Sequence, residues 1–317
     1  MTTGILVNFL LSTTLMSAFT NIATWLSHVS ETCFTACYIL VLVLEISRLF
    51  FRVAVRHALI LLVTSAGLFA QIIWFCLSAR TPETTPLASW YGWCMLIALA
   101  IAFVYLLVRI RYPDKSVGLF LLPLVLALIA AALLFLRNQE PFVTEAILSF
   151  WSILHLSALL LGSIAATLGF AAGIMYLVQA FRLKRKLPPR QGLQLPNLER
   201  LQWYNYTLLT TSTALLAIGL LAGIIRKASL LAISESDISW DPMVVISSGI
   251  LLVWLVITGL FEYFYKPARQ GRKVAYLTVA SFLILGAVMA LVFTTTHAVD
   301  LDQPTSAAQT GSLEGDL

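Results

Sequence analysis

From Trp151 to Val178 the chain reads WSILHLSALLLGSIAATLGFAAGIMYLV, 28 residues without a single Asp, Glu, Lys or Arg. One crossing of a bilayer takes about 20 apolar residues, and in hydrocarbon every backbone polar group must be paired within the segment, so this run predicts a membrane-spanning helix. It continues into QAFRLKRK and therefore ends in Arg182, Lys184, Arg185 and Lys186. Lys and Arg gather on the cytoplasmic side of membrane proteins, which orients the helix: basic end inside, His155 at the outer face.

The remainder has the same character. The chain is 60% hydrophobic and 11% charged, with a mean hydropathy of +0.91; soluble domains carry about 25% charged residues. Most of the protein must face lipid, and its 317 residues leave no room for a large soluble domain as well. The formal net charge of +5 is not a nucleic-acid signature, because the basic residues fall in short clusters between apolar runs.

Reading those runs gives eight expected spans: 30–51, 57–78, 88–108, 117–136, 147–180, 205–226, 243–265 and 274–295. Sixteen of the 20 Lys and Arg then share one side. They are Arg48, Arg52 and Arg56; Arg109, Arg111 and Lys115; Arg182, Lys184, Arg185, Lys186, Arg190 and Arg200; and Lys266, Arg269, Arg272 and Lys273. Only Arg80, Arg137, Arg226 and Lys227 fall opposite. The expected architecture is an all-α integral membrane protein, an eight-transmembrane-helix bundle with both termini on the outer side of a bacterial-type plasma membrane. Residues 1–29 form an N-terminal segment, apolar but without Lys or Arg. It is expected to lie on the outer surface as an amphipathic helix, with a ninth span as the alternative. Residues 30–297 form the transmembrane domain and 298–317 a disordered acidic tail.

Ala165, Gly169 and Gly173 recur every four residues in the fifth span, and the sixth carries Gly219 and Gly223. Small residues at that spacing let helix backbones approach closely, so Gly169 and Gly173 are expected to face a neighbouring helix. The fifth helix is expected to run on from about 147 to 186 and to be broken by LPPRQGLQLP.

The four cysteines, Cys33, Cys37, Cys76 and Cys94, form no CxxC pair and no zinc spacing, and read as small apolar filler. Of the four histidines, His57 falls inside. His28, His155 and His297 fall outside, the last just past the eighth span. An interfacial histidine is ordinarily a polar residue at a helix end. Two on one face, each at a helix end, could converge as the imidazoles of an axial pair for haem iron, a convergence that sequence spacing does not show. Trp90, Tyr91, Trp93, Trp151 and Trp240 also fall outside; an interfacial aromatic belt accounts for them, and a flat apolar porphyrin would need the same residues.

The histidine-led helix ending GIMYLVQAFRLKRK, LPNLERL at 195–201 ahead of the Gly219/Gly223 span, SWDP at 239–242, GRKVAYL at 271–277 and the terminal His297 follow a distinctive order. In that order the chain resembles the membrane proteins of cytochrome c assembly, the CcsA/CcmC/ResC type, and within it the HemX-like branch, over roughly residues 30–300. In that family a tryptophan-rich outer loop presents haem, and a histidine on each side supplies the axial ligands. The resemblance implies His155 and His297 as axial ligands, with Trp240, Asp241 and Trp151 beside the haem. It also implies haem and other cytochrome c assembly membrane proteins as partners. The loop here keeps only SWDP, and no histidine lies in mid-span, where larger members place a second haem. The implied role is haem handling or its delivery, accessory rather than enzymatic. The alternative is a HemX-like scaffold or regulator of tetrapyrrole synthesis without a cofactor, acting through the basic loop 182–200. An ion-coupled transporter is disfavoured because Glu45, Glu262 and Arg226 lie near span ends, away from mid-membrane. An intramembrane hydrolase lacks an acid–histidine or acid–acid pair.

Overall fold

The computed structural model describes residues 30–49, 55–79, 89–136, 149–186, 193–233, 242–264 and 271–301. The N-terminal segment 1–29, the tail beyond Leu301, and Trp240 and Asp241 of the SWDP segment lie outside the described residues. Eight helices are described, one for each expected span: α1 Glu31–Ser47, α2 Arg56–Ser78, α3 Trp90–Arg111, α4 Gly118–Ala131, α5 Phe150–Lys184, α6 Leu198–Ile233, α7 Pro242–Phe264 and α8 Gly271–Leu301. A single π turn, Ala132–Leu136, prolongs α4. Among the described residues there is no strand.

Five of these helices are long and apolar enough to cross a membrane: Arg56–Ser78, Trp90–Arg111, Gly118–Leu136, Phe150–Lys184 and Leu198–Ser229, with a shorter apolar helix at Val245–Phe261. Large apolar residues such as Leu62, Phe69, Phe103, Leu134 and Val253 point outward, while Glu45, Gln71 and Arg109 are buried. That inversion suits a protein whose surrounding solvent is hydrocarbon.

Two helices outrun their apolar stretches. α6 begins at Leu198 and ends at Ile233, whereas the apolar run covers 205–226. Lys227, expected just past the span, therefore sits in helix with Arg226 of the span's end. α8 continues to Leu301, which puts His297 inside the helix instead of just past it. α5 behaves as the sequence implies: 35 residues to Lys184, about 52 Å at 1.5 Å per residue. Lys186 then takes a left-handed φ of 50°, a common way for a helix to stop.

The chain divides into two compact units. The first comprises α1–α4 together with Val178–Leu198; the second comprises α5 up to Leu177 together with α6–α8. In the first unit α1 packs on α2 and α4, and α3 packs on the same two helices. Hydrogen bonds run through its interior. The Tyr38 hydroxyl donates to Gln71 Oε1 at 2.7 Å, and Gln71 Nε2 donates to the Met95 carbonyl at 3.1 Å. Nearer the basic end, Tyr105 donates to Glu45 Oε1 at 2.9 Å, and Arg109 Nη1 lies 3.7 Å from that same oxygen. Arg48 donates to the carbonyls of Asp114 and Lys115, and Ser116 pairs with Gln194 through its backbone N–H at 2.8 Å.

In the second unit the core gathers Ala166 of α5, Leu216 and Leu220 of α6, Leu251 and Leu255 of α7, and Leu285 of α8. Phe170 of α5 stacks on Phe282 of α8, centroids 4.3 Å apart.

Candidate functional site

The second unit contains His155 and His297, and its central feature is an antiparallel seam between α5 and α6. Along the seam a large side chain of one helix repeatedly meets a glycine of the other. A Cβ added to Gly162 would stand 2.9 Å from Leu216; one on Gly219, 2.7 Å from Leu159; one on Gly223, 2.7 Å from the Cε1 and Nδ1 of His155. Further along, Gly169 meets Leu208 of α6 and Thr278 of α8, and Gly173 meets Asn205 of α6 and Ala275 of α8. The expectation that Gly169 and Gly173 face neighbouring helices is borne out. Close approach is what glycine contributes in lipid, where apolar side chains gain nothing by leaving hydrocarbon for each other.

His155 is thus one knob of this seam. Its Nδ1 lies 2.7 Å from the Gly219 carbonyl oxygen. A carbonyl can only accept, so Nδ1 carries the proton and Nε2 keeps the lone pair. This is the tautomer in which a histidine ligates a metal through Nε2 while its other nitrogen is held by a second group. One turn earlier, Trp151 is 37% exposed and meets Phe150 edge-on at 5.5 Å between centroids. Among the described residues no three His, Cys, Asp or Glu side chains group as a multidentate metal site. Haem ligation needs only the axial imidazoles, and the proton at Nδ1 fits His155 for one of them.

α5 and α8 are neighbours, as a shared site for His155 and His297 requires. Gly169 meets Thr278, Gly173 meets Ala275 and Val279, and Phe170 stacks on Phe282. The His297 side chain lies outside the described residues, as do Trp240 and Asp241 of the intervening segment and the expected backup ligand His28. His57 occupies the first turn of α2, in the first unit.

Sequence reasoning missed two features. One is the backbone partner of His155. The other is the pairing of Glu45 with Arg109, 0% and 4% exposed, which the sequence shows only as an acid near one span end and a basic residue following another.

The family model described as cytochrome C assembly protein matches residues 87–294. The match takes in His155, Trp240 and Asp241 and stops three residues short of His297. No curated protein and no solved structure matches the chain. With a match over well more than half of its length, and with several apolar helices long enough to span a bilayer, this multi-pass membrane protein belongs to the cytochrome c assembly family.

Proposed function

We propose that the protein handles haem for cytochrome c assembly at the outer face of a bacterial-type plasma membrane. His155 and His297 would serve as the axial ligands of haem, with Trp151, Trp240 and Asp241 as the further residues assigned to it. One observation carries this reading. His155 lies fifteen residues before Phe170 on α5, and His297 lies fifteen residues after Phe282 on α8; those two phenylalanines stack. On antiparallel neighbouring helices rising 1.5 Å per residue, both histidines stand about 22 Å from that pair, at the same depth. The side of the membrane is assigned by the positive-inside rule: the expected spans gather sixteen of the 20 Lys and Arg on one side, which would be cytoplasmic, with His155 and His297 on the other.

Haem supplies an iron that accepts two imidazoles, and it is the cargo of the assembly process. The chain holds it. His155 keeps its proton at Nδ1 and so has Nε2 free to coordinate, and Trp151 and Trp240 would supply flat apolar surface to the porphyrin. The role is accessory, with delivery to another assembly membrane protein as its outcome.

A visible absorption spectrum of the purified protein supplied with haem tests this. A Soret band with low-spin features is expected in the wild type, and it should disappear in the His155→Ala, His297→Ala double variant. Its absence from the wild type would hand the role to the HemX-like scaffold or regulator, acting through the basic loop 182–200. Reporter fusions at Arg190 and Gly271 should read cytoplasmic, and those at Glu235 and Gln309 exterior; a cytoplasmic C-terminus would overturn the orientation.

A further inference from the structure

The geometry points to Gly223 as the positioning residue for His155: its missing side chain makes the seat that holds the imidazole on the Gly219 carbonyl and so selects Nε2 as the coordinating atom. This assignment rests on the haem-handling reading for its consequence, but the seat itself is a property of the chain.

The argument begins with helix geometry. Gly219 and Gly223 are one turn apart on α6, so they line one groove on one face. Leu159 fills that groove beside Gly219, and His155, one turn earlier on α5, fills it beside Gly223. The imidazole lies so close to α6 that a Cβ at 223 would stand 2.7 Å from both Cε1 and Nδ1, well inside van der Waals contact. Any larger residue there must push the ring away, and the atom displaced is the nitrogen that donates to Gly219 at 2.7 Å. Once that bond is lost, nothing fixes the tautomer, and the ring presents Nδ1 and Nε2 in turn. A histidine free in a lipid-facing groove needs no such seat. Here the seam commits to one ring the space at Gly223 and the backbone carbonyl of Gly219. Removing the group that orients a metal-bound histidine typically lowers metal affinity by about 10–100-fold.

The test compares Gly223→Ala with Gly162→Ala in the full-length protein. Gly162 lies in the same seam, and a Cβ there meets Leu216 at 2.9 Å, not the histidine. Both substitutions insult the packing, and only the first touches the seat. Two readouts are taken: nitrogen-15 NMR of labelled histidines, with His155→Gln used to assign the signal, and titration with ferric haem followed by its spin state.

The expected result is Nδ1–H at His155 in the wild type and in Gly162→Ala, and a mixed tautomer in Gly223→Ala. In the same variant haem affinity should fall roughly 10–100-fold, with loss of the low-spin spectrum. An unchanged tautomer and unchanged spectrum in Gly223→Ala, or equal losses in both variants, would overturn the assignment. If Gly223→Ala does not fold, the wild-type tautomer decides alone: a proton on Nε2 refutes the seat, and one on Nδ1 upholds it. Should the wild type bind no haem, the functional reading fails, and the NMR comparison still judges the seat.

Discussion

The two units solve one problem by different means. Helices in lipid gain nothing from hiding apolar surface from each other, so they associate through hydrogen bonds or through close fit. The first unit uses polar groups: Tyr38 to Gln71 to the Met95 carbonyl across three helices, and Glu45 with Tyr105 and Arg109 between α1 and α3. The second uses shape, with leucine, histidine and asparagine knobs set against glycines along α5 and α6. Its buried hydroxyls on Ser163, Thr167, Ser212 and Thr278 all return to carbonyls of their own helix, and two bonds cross between helices: His155 to the Gly219 carbonyl and Trp254 Nε1 donating to Ser281 Oγ at 3.2 Å. The difference bears on function. In the first unit Tyr38, Gln71, Tyr105 and Glu45 Oε1 are spent on bonding helix to helix, whereas the seam locks one nitrogen of His155 and leaves the other uncommitted among the described residues.

The largest way to break this contrast is at the ion pair. Arg109→Ala would take from the buried Glu45 its ion-pair partner, leaving the Tyr105 hydroxyl and the more distant Arg48, and Glu45 Oε2 already has no hydrogen-bond partner among the described residues. Removing one member of a buried pair costs about 3–5 kcal/mol, while replacing both with apolar residues is often neutral. Thermal unfolding in detergent should therefore show a severe loss for Arg109→Ala and substantial recovery in Glu45→Leu, Arg109→Met. A double variant as unstable as the single one would mean that these charges do more than hold α1 to α3.

In the second unit the corresponding break is steric. Gly169→Leu drives a side chain into Thr278, whose Cγ2 would stand 2.9 Å from the new Cβ, and overpacking of this kind costs about 1–3 kcal/mol. Leu159→Phe would be the obvious comparison on the same helix, but Leu159 itself packs on Gly219. Leu161, 52% exposed, is the proper control, and Leu161→Phe should stay within about 0.5 kcal/mol. Equal tolerance of Gly169→Leu and Leu161→Phe would remove the case for a shape-based seam. Gly118→Ala carries the steric test into the first unit: its Cβ would meet Tyr105 at 2.7 Å and the Glu45 carboxyl carbon at 3.0 Å. It should cost about as much as Gly169→Leu and should be rescued in part by Tyr105→Phe if the hydroxyl bond is what holds that ring in place.

The sequence made much of this architecture legible for a physical reason. A lipid-spanning helix must be apolar over about 20 residues, so each of the eight described helices falls on an apolar run of the sequence, five of them long enough to cross a bilayer. Hydropathy marks only the stretch within lipid, however, so α6 was expected over 205–226 and in fact covers Leu198–Ile233. The glycine spacing at 219 and 223 was visible. What it accommodates was not, because the partner of His155 is a backbone carbonyl 64 residues away and carries no side-chain signature. Glu45 and Arg109 were invisible as a pair for a similar reason: each sits at a span end, where an isolated polar residue is unremarkable, and only the fold brings them together.

The smallest expected effect sharpens the comparison most. Tyr38→Phe removes one hydroxyl, the donor to Gln71 Oε1 at 2.7 Å, and leaves the ring in its contacts with Phe34. Interhelical hydrogen bonds in membranes average about 0.6 kcal/mol, because helices separated in lipid find other partners. Gln71 is 0% exposed and keeps its bond to Met95 through Nε2, so the loss should fall near that average. Gln71→Leu breaks both links at once and strands the Tyr38 hydroxyl as well, and should exceed Tyr38→Phe by about 1 kcal/mol, the usual cost of an unpaired buried polar group. Detergent unfolding midpoints separate the two cases. If Tyr38→Phe and Gln71→Leu prove equal and negligible, the first unit is held by fit as the second is, and the division between a polar-bonded unit and a shape-fitted one disappears.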